Sequence, residues 1–367
     1  MSEACAAHDV RIEFVGRTHD SATLAFALDH TSQLKATLAS QGKAAAAVET
    51  RDHEAAGRLV LNGLSSDVEF EATIEWDTGS VTRVLRTLPT PEGSEMWSFA
   101  VVADPHVAHQ TRHRQGRLLV EAEAILRETI HELNQLQPDF VLMPGDLTNR
   151  GTTEEYGILQ GLLGELACPY LAVAGDHDVK LPHGRDLFQE RVGPINWAEN
   201  RGDLLVVGCD TSTGRLGKRG EDWIKDHLPE NHQLLVLVSH RQLIPDEYIV
   251  DHDKAVEDHP SVRSLIQDIP VPTLILVGHK NVPARADLGR AVQLNVPQLV
   301  QYPCGYLLVR CYRNGIYVTF QPMFAEVLNE FSRWTGSASG LARMDGAYRA
   351  RGAMEHWNNV YFGGIHD

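Results

Sequence analysis

The sequence has few cysteines, no long hydrophobic run and a shortage of basic residues. Its five cysteines include no CxxC pair, which argues against a disulfide framework and against a thiolate zinc site. No apolar run approaches the roughly 18 residues of a membrane span, and no secretion signal is visible, so we expect a cytoplasmic protein. Lys and Arg number 33 against 49 Asp and Glu, and the formal charge of -16 opposes binding to nucleic acid or to an anionic membrane.

The rest of the composition is that of a folded globular protein. Apolar residues make up 43% of the chain and charged residues 22%, both ordinary values. The length of 367 residues predicts two or three domains at roughly 150 residues each. Histidine is in excess, with 18 residues, many of them beside Asp, Gly or Pro at the ends of apolar runs. Such positions suit the display of ligands.

The first part of the chain is a series of short segments in which apolar and polar residues alternate. Turn residues separate these segments, a pattern that predicts a small β-sandwich of the immunoglobulin or fibronectin kind. The alanine run at 44–47 is predicted as strand because of its neighbours. Pro89, Pro91 and Gly93 then break the pattern as a linker would. We therefore predict an N-terminal β-sandwich domain over residues 1–93.

From Trp97 onward, apolar runs of strand length alternate with helical patterns. This alternation predicts a layered α/β domain. Apolar residues from Gln115 to Gln137 fall along one helical face, which predicts a long helix. Thr152 followed by Glu155 has the spacing of a capping box and predicts the start of the next helix.

The end of the chain combines a hairpin signal with an aromatic tail. Asn314-Gly315 lies between two apolar runs and predicts a β-hairpin. Residues 324–334 have the pattern of a short amphipathic helix. The tail beyond it carries Tyr348 and Trp357 among other aromatics, which argues against simple disorder. We predict that residues 324–367 form a helix and a tail that docks on the protein itself or on a neighbouring subunit.

Polar clusters follow five of the predicted strands. Carboxyl ends of parallel strands meet at one edge of a sheet, so these groups should converge. Carboxylates gathered with imidazoles are typical of a divalent metal site. Each fragment alone is commonly a plain turn, but chance does not easily supply all five in order. The clusters are Asp104-Pro105-His106, Gly145-Asp146, Gly175-Asp176-His177-Asp178, Ser239-His240 and Gly278-His279-Lys280-Asn281.

This ordered set resembles the calcineurin-like metallophosphoesterase superfamily over roughly residues 97–321. The stretches GDLTNRGTTEEY and PYLAVAGDHD are most similar to the branch that contains class III cyclic nucleotide phosphodiesterases and glycerophosphodiesterases. The resemblance implies a four-layer αββα sandwich, which we assign to residues 94–323. A β-sandwich in front of it is similar to the layout of purple acid phosphatases. Purple acid phosphatases, however, have a tyrosine metal ligand at the position that Asn149 occupies here.

The resemblance also implies two divalent metal ions that share one bridging carboxylate. Such a pair activates a water and neutralises phosphoryl oxygens during in-line attack. The residues at the family's ligand positions are Asp104, His106 and Asn281 for the first metal, Asp146 as the bridge, and Asp176, His240 and His279 for the second metal.

Other residues near these positions are candidates for catalysis and substrate binding. His177 would protonate the leaving oxygen or steady the transition state, and Asn149 would orient its imidazole. Arg150 could clamp a phosphate oxygen. Lys280 lies inside a ligand motif, where its charge could meet a phosphate, and His109 is a further candidate for substrate contact.

Two positions depart from the family pattern. Asp176 stands where the family has Asn, and Asn281 stands where the family has the last His of Gly-His-x-His. Oxygen ligands favour Mn or Fe over Zn. The altered ligands leave three alternatives open: phosphodiester hydrolysis, other chemistry at a retained centre (oxidative, or phosphonate or phosphate ester cleavage), and a catalytically retired binding module.

Phosphodiester hydrolysis is the favoured prediction. The expected partner is a small-molecule phosphoester, with no nucleic acid and no membrane. A homo-oligomer formed through the N-terminal domain or the C-terminal tail stays an open alternative.

Overall fold

The computed structural model describes residues 10–50, 52–229, 232–245, 255–281, 283–337 and 353–362. Two compact units make up the chain. The sandwich unit comprises Met1–Glu92 and Ala325–Phe331, and the two-sheet unit comprises Gly93–Phe324 and Ser332–Asp367. Cys5, Tyr348 and most of the predicted docking tail lie outside the described residues. The grouping of Ala325–Phe331 with the sandwich unit has no counterpart in the sequence pattern.

Short antiparallel strands form two sheets in the sandwich unit. In chain order they are β1 (Arg11–Arg17), β2 (Ser21–Ser32), β3 (Lys35–Ser40), β4 (Lys43–Glu49), β5 (Glu54–Asn62), β6 (Glu69–Trp76) and β7 (Gly79–Arg86). One sheet has the order β1-β2-β5 and the other β4-β3-β6-β7. Alternate residues such as Leu24, Phe26, Leu38 and Phe70 are buried in the shared core. The predicted small β-sandwich is confirmed, and the alanine run lies in β4.

A buried arginine in the sandwich unit is surrounded by carboxylates. Arg11 in β1 is only 4% exposed. Its guanidinium donates to Glu13 at 2.6 Å and also to Glu326 and Glu330. A buried cation is costly unless it is paired, so these carboxylates are what allow Arg11 to be buried.

The two-sheet unit contains the remaining strands of the described chain. They are β8 (Trp97–Val101), β9 (Phe140–Met143), β10 (Tyr170–Ala172), β11 (Trp197–Arg201), β12 (Leu204–Cys209), β13 (Leu234–Ser239), β14 (Thr273–Val277), β15 (Arg285–Leu288), β16 (Ala291–Asn295), β17 (Gly305–Tyr312), β18 (Gly315–Pro322) and β19 (Asn359–Tyr361). Two six-stranded sheets result, with the orders β10-β9-β8-β17-β18-β19 and β11-β12-β13-β14-β16-β15.

Seven helices lie in the part of the chain that the structure describes. They are α1 (Ala122–Leu136), α2 (Thr153–Leu163), α3 (Gly184–Arg191), α4 (Gly217–Asp226), α5 (His259–Gln267), α6 (Glu326–Gly336), which spans the division between the units, and α7 (Ala353–Trp357). Ile224 of α4 and Val262 and Ile266 of α5 share a core with Val207 and Leu237 of the second sheet. None of the helices in the described parts is long and apolar enough to cross a membrane. The predicted α/β architecture is confirmed.

Strand direction explains how the polar clusters are placed. Strands β8, β9 and β10 run parallel to one another, as do β12, β13, β14 and β16. Every residue of β12, β13 and β14 is buried, as expected for parallel strands that are covered on both faces. The segments that follow these strands therefore emerge at the carboxyl edge of each sheet.

Helix α1 is shorter than its apolar pattern suggests. It begins at Ala122 rather than at Gln115. Gly116 has a φ of 81°, outside the helical range. The Leu118 amide donates to the Val300 carbonyl at 2.7 Å, which ties the preceding segment to another part of the unit. Tertiary hydrogen bonds have therefore replaced the first helical turns.

Two local predictions agree with the structure. The Thr152 side chain accepts from the Glu155 amide while the Glu155 carboxylate accepts from the Thr152 amide, so the capping box is present. The hairpin forms between β17 and β18, where Tyr312 pairs with Gly315. Its two-residue loop is Arg313-Asn314, one position earlier than the Asn-Gly pair.

Candidate metal centre

The predicted ligands extend from the carboxyl ends of five strands. Asp104 follows β8, Asp146 follows β9, Asp176 follows β10, His240 follows β13 and His279 follows β14. Apolar strands form the two sheets, and the polar residues come where each strand ends. The sequence order of the clusters is thereby converted into a site at one edge of the fold.

Backbone hydrogen bonds hold the first two ligand segments side by side. The Asp104 amide donates to the Gly145 carbonyl at 3.2 Å, and the His106 amide donates to the Asp146 carbonyl at 3.1 Å. The next amide, of Val107, donates to Leu147 at 2.9 Å. This ladder fixes the distance between the two segments.

Four predicted ligands form one compact group, which we call the four-residue group. Ligand atoms of Asp146, Asp176, His240 and His279 all lie within 4.8 Å of one another. His240 Nε2 is 3.2 Å from Asp176 Oδ1, 3.0 Å from His279 Nδ1 and 3.4 Å from Asp146 Oδ1. These are the residues that the sequence assigns to the second metal and to the bridge.

A second group, the three-residue group, contains His106, Asp146 and His177. His106 Nε2 is 3.7 Å from Asp146 Oδ2. The rings of His106 and His177 meet edge-on, with centroids 4.7 Å apart. Asp146 thus belongs to both groups, with one carboxylate facing two sets of imidazoles. The structure brings His177, the predicted acid, directly against the residues predicted for the first metal.

Backbone carbonyls orient two of the imidazoles. His240 Nδ1 lies 2.9 Å from the Pro144 carbonyl, an acceptor, so Nδ1 carries the proton and Nε2 faces the four-residue group. In the same way His177 Nδ1 donates to the Asn149 carbonyl at 2.7 Å, and the His177 amide donates to Asp146 Oδ1 at 2.9 Å. The contact that orients His177 is made by the backbone of Asn149, so it does not depend on an asparagine side chain.

Several buried polar atoms at the site have no hydrogen-bond partner among the described residues. They are Asp104 Oδ2, both ring nitrogens of His106 and His279 Nε2. Buried polar atoms are rarely left unpaired in folded proteins. Carboxylate oxygens and imidazole nitrogens are common ligands of divalent transition metals. The residues present therefore fit divalent metal ions.

Charges of the protein groups alone are unbalanced at the site. Burial raises the pKa of Asp104 to about 8, with the Asp146 charge adding to the effect. Burial lowers the pKa of His279 to about 4, although Asp176 opposes this. For His240 burial also lowers the pKa, but the nearby aspartates outweigh it and raise it to about 10. Buried carboxylates that repel one another are relieved by a cationic ligand.

The backbone is strained where four of the predicted ligands lie. Asp104, His106, Asp146 and His279 have φ values of 49°, 43°, 50° and 63°. Non-glycine residues in this left-handed region cost about 1–3 kcal/mol each, and they cluster at functional sites. The strained backbone positions therefore coincide with candidate metal ligands.

Two motif glycines are required by close approach. A Cβ atom on Gly175 would lie 2.1 Å from Asp146 Oδ1, and one on Gly278 would lie 2.6 Å from Asp104 Oδ1. Real Cβ atoms do not come this close to backbone or carboxylate atoms. Glycine therefore lets each neighbouring segment pass directly beside a carboxylate that is a candidate metal ligand.

Asp178 is a positioning residue to which the sequence analysis gave no role. It is fully buried and accepts from the Leu147 amide, the Thr148 amide and hydroxyl, and the Gly175 amide at 2.8–3.1 Å. Burial, and secondarily the Asp146 charge, raises its pKa to about 7. The carboxylate ties the segment after β9 to the segment after β10. The sequence feature that could have identified Asp178 is its place as the last residue of the GDHD stretch.

Arg117 also acts on the site, and no motif contains it. Its positive charge favours the ionised form of Asp104 and disfavours the protonated form of His106, whose pKa burial already holds well below its usual range. Its Nε atom is buried without a hydrogen-bond partner in the described structure. The residue lies in the segment before α1 that the apolar pattern had assigned to helix.

The remaining predicted site residues are placed differently. The Asn281 side chain is held by backbone groups: Nδ2 donates to the carbonyls of Gln301 and Tyr302, and Oδ1 accepts from the Gln298 amide at 3.0 Å. Lys280 is 8% exposed, whereas Arg150 and His109 are exposed. The substrate roles of these last three residues stay predictions.

Comparison with known proteins gives the family. Residues 98–283, just over half of the chain, match the family described as Calcineurin-like phosphoesterase. A 3',5'-cyclic-nucleotide phosphodiesterase of Nostoc sp. is 23% identical over 245 residues, covering 60% of this chain and 90% of the relative. Glycerophosphodiester phosphodiesterase GpdQ of Enterobacter lignolyticus is 34% identical over 84 residues, covering 22% and 30%.

Among solved structures, the fold is similar to that of a dimetal phosphatase from Danio rerio. The TM-score is 0.55 at 11% identity, covering 62% of this chain and 97% of that one. This likeness concerns the fold alone. The match over residues 98–283, which is more than half of the sequence, shows that the chain belongs to the calcineurin-like phosphoesterase family.

Proposed function

We propose that this protein is a binuclear metal-dependent phosphodiesterase. The observation that carries the proposal is the position of Asp146, whose carboxylate belongs to both groups of potential ligands. Asp104 and His106 would hold one metal, and Asp176, His240 and His279 would hold the other. Two divalent ions held in this way would polarise a water molecule and neutralise the oxygens of a phosphoryl group.

His177 is suited to proton transfer at this centre. Its Nδ1 proton is committed to the Asn149 carbonyl, so Nε2 is the atom available to a substrate. When the ring is protonated, Nε2 can donate to a leaving oxygen, and when it is neutral, Nε2 can only accept. The hydrogen bond from the His177 amide to Asp146 holds the ring beside the bridging carboxylate. His177 therefore combines a fixed position with a free nitrogen.

The relatives favour a phosphodiester over a phosphomonoester. Those whose names describe an activity are phosphodiesterases for 3',5'-cyclic nucleotides or for glycerophosphodiesters. A diester carries one negative charge at the phosphoryl group and a monoester carries up to two. The two proposed divalent ions would exceed the charge of Asp104, Asp146 and Asp176 by one, and the single charge of a diester balances that excess.

The experiment compares a diester with a monoester. Protein loaded with Mn²⁺ is assayed with bis(p-nitrophenyl) phosphate and with p-nitrophenyl phosphate, and we expect a higher kcat/KM for the diester. A 3',5'-cyclic nucleotide and a glycerophosphodiester are then compared as natural classes. A preference for the monoester would overturn the substrate class. No turnover of any ester by protein that holds metal would favour the other chemistries or the binding module.

Metal content is measured on the same preparation. Elemental analysis of protein purified without chelator should give between one and two Mn or Fe ions per chain, because the proposed ligands are oxygen and imidazole donors with no thiolate. His177→Gln serves as the matched variant, since glutamine keeps a polar side chain but cannot act as a general acid or base. Turnover should fall while metal content is retained. Loss of metal in this variant would make His177 a ligand rather than an acid.

A further inference from the structure

Gln298 lies at the edge of the sheets where the proposed metal ligands lie. It follows β16, which is parallel to β14, so it emerges on the same side as His279. It forms a bridge with Ala103, the residue before Asp104, and the next amide, of Leu299, donates to the Ala103 carbonyl at 2.9 Å. Backbone pairing therefore places Gln298 between two ligand segments.

The side chain of Gln298 is oriented at one end and unpaired at the other. The residue is 1% exposed. Its Nε2 donates to the His279 carbonyl at 3.2 Å, and its backbone amide donates to Asn281 Oδ1 at 3.0 Å. Its Oε1 is buried and has no hydrogen-bond partner among the described residues. A buried amide oxygen without a partner destabilises the folded protein, so it calls for one.

Another buried glutamine at a neighbouring position shows the usual arrangement. Gln293, also 1% exposed, accepts through Oε1 from the amides of Leu243 and Ile244, both at 2.9 Å. Its Nε2 donates to the Ile244 carbonyl at 2.7 Å. Both ends of that amide are thus satisfied within the protein. Gln298 differs from Gln293 in that its side-chain oxygen has no hydrogen-bond partner among the described residues.

The contacts of Asn281 explain why the first metal would need an oxygen donor from another residue. The amide of Asn281 is used by three contacts with the segment from Gln298 to Tyr302. The unpaired atoms of Asp104 and His106 belong to the metal that the family pattern would complete from position 281. That metal would otherwise lack a donor, and an amide oxygen is an acceptable ligand for Mn²⁺.

We propose that Gln298 supplies, through Oε1, a ligand of the first metal in place of residue 281, and that Asn281 holds the Gln298 backbone in position. The inference rests on the proposed binuclear centre. It adds to that centre a residue from outside the motifs. The glutamine Nε2 contact with His279 aims the oxygen, and the Asn281 contact fixes the main chain behind it.

The test is metal binding by the full-length protein. Mn²⁺ is titrated by calorimetry into wild type, Gln298→Leu, Gln298→Glu and Gln301→Leu, after circular dichroism has shown that each variant is folded. Gln301 is the matched control, because it lies in the same segment, is 7% exposed and donates through Nε2 to the Gln115 carbonyl at 2.6 Å. We expect Gln298→Leu to weaken one of two binding events about tenfold or more, in the range found for residues that support metal ligands.

The same event should tighten in Gln298→Glu, since a carboxylate is a stronger ligand than an amide, and Gln301→Leu should leave both events within twofold of wild type. Equal effects of Gln298→Leu and Gln301→Leu would overturn the inference, because they would reflect only the packing of the segment. If Gln298→Leu does not fold, Gln298→Glu decides: unchanged or weaker binding overturns the inference.

Failure of this inference is distinct from failure of the proposed function. Wild-type protein that binds two Mn²⁺ ions with no response to Gln298 leaves the binuclear centre intact and removes only the new ligand. Wild-type protein that binds no Mn²⁺ removes the proposed function and the inference with it. Turnover is not needed for either conclusion.

Discussion

The sandwich unit and the two-sheet unit bury charged residues in opposite ways. In the sandwich unit, buried Arg11 is surrounded by three carboxylates that accept from its guanidinium. In the two-sheet unit, Asp104 and His106 are fully buried, yet each keeps an atom without a hydrogen-bond partner among the described residues. The charge of the Arg11 guanidinium is paired with protein carboxylates alone. The arrangement in the two-sheet unit fits a cation supplied from outside.

This difference separates structural charge from functional charge. Burial by itself does not identify a site, since Arg11 and Asp104 are 4% and 0% exposed. What differs is whether the partners of the charge come from the protein. Charges that the protein neutralises should matter to stability, and charges that it leaves open should matter to metal binding and turnover.

The largest effect should come from the carboxylate shared by both ligand groups. Asp146→Asn keeps the shape of the side chain but removes the charge between the two metals. We expect loss of bound metal and a fall in diesterase kcat/KM of roughly 10⁴-fold, or about 5 kcal/mol. Elemental analysis and the bis(p-nitrophenyl) phosphate assay measure both. Asp67→Asn, at an exposed carboxylate paired with Arg86, is the control and should retain metal and turnover. Full activity of Asp146→Asn would contradict a shared carboxylate.

The next effect concerns the paired charge of the sandwich unit. Arg11→Met leaves Glu326, which is also buried, without its main cation, and the free energy of unfolding should fall by about 3–5 kcal/mol. Urea unfolding followed by circular dichroism measures the loss. The matched control is Arg86→Met, because Arg86 pairs with Asp67 at the surface and exposed pairs contribute about 0–1 kcal/mol. Metal content should not change in either variant. A loss of metal in Arg11→Met would end the distinction between the two kinds of charge.

A smaller effect should follow from adding metal to the wild-type protein. A ligand at 100 times its Kd stabilises the state that binds it by about 2.7 kcal/mol. For a unit of this size that corresponds to a rise in Tm of roughly 5–10 °C. Thermal unfolding with and without Mn²⁺ should show the rise in the transition of the two-sheet unit and none in that of the sandwich unit. The rise should be absent in Asp146→Asn. An equal rise in both transitions would show that metal binding is not confined to the two-sheet unit.

The sequence predicted those parts of the candidate centre that depend on local patterns of residues. Asp146, His240 and their companions stand directly after apolar runs, and parallel strands bring such positions together. The sequence did not predict the places of Gln298 and Arg117 or the late start of α1. These features depend on backbone contacts between segments far apart in the chain: Gln298 pairs with Ala103, and Leu118 donates to Val300. No local pattern records a hydrogen bond across such a separation.

Asn281 shows a second limit of prediction from sequence. Its place in a ligand motif predicted a metal ligand, whereas its side chain is held by the carbonyls and amide of the segment from Gln298 to Tyr302. A family motif gives the position of a residue in the fold. The chemistry of a substituted residue at that position then depends on which neighbours have changed with it.

The smallest predicted effect concerns the N-terminal cap of α2, a structural contact close to the candidate site. Thr152→Ala removes the side chain that accepts from the Glu155 amide and should cost about 1 kcal/mol of stability, whereas Thr152→Ser should keep the cap. Glu155 also accepts from the Arg150 amide at 2.7 Å, and Arg150 follows Asn149, whose carbonyl orients His177. Since that second contact survives in Thr152→Ala, Mn²⁺ affinity and turnover should stay within about twofold of wild type. Urea unfolding, Mn²⁺ titration and the diester assay give the three values. A tenfold fall in turnover at unchanged Mn²⁺ affinity would instead mean that loss of the cap shifts the Asn149 carbonyl and with it the His177 ring. A structural contact would then also control a catalytic one.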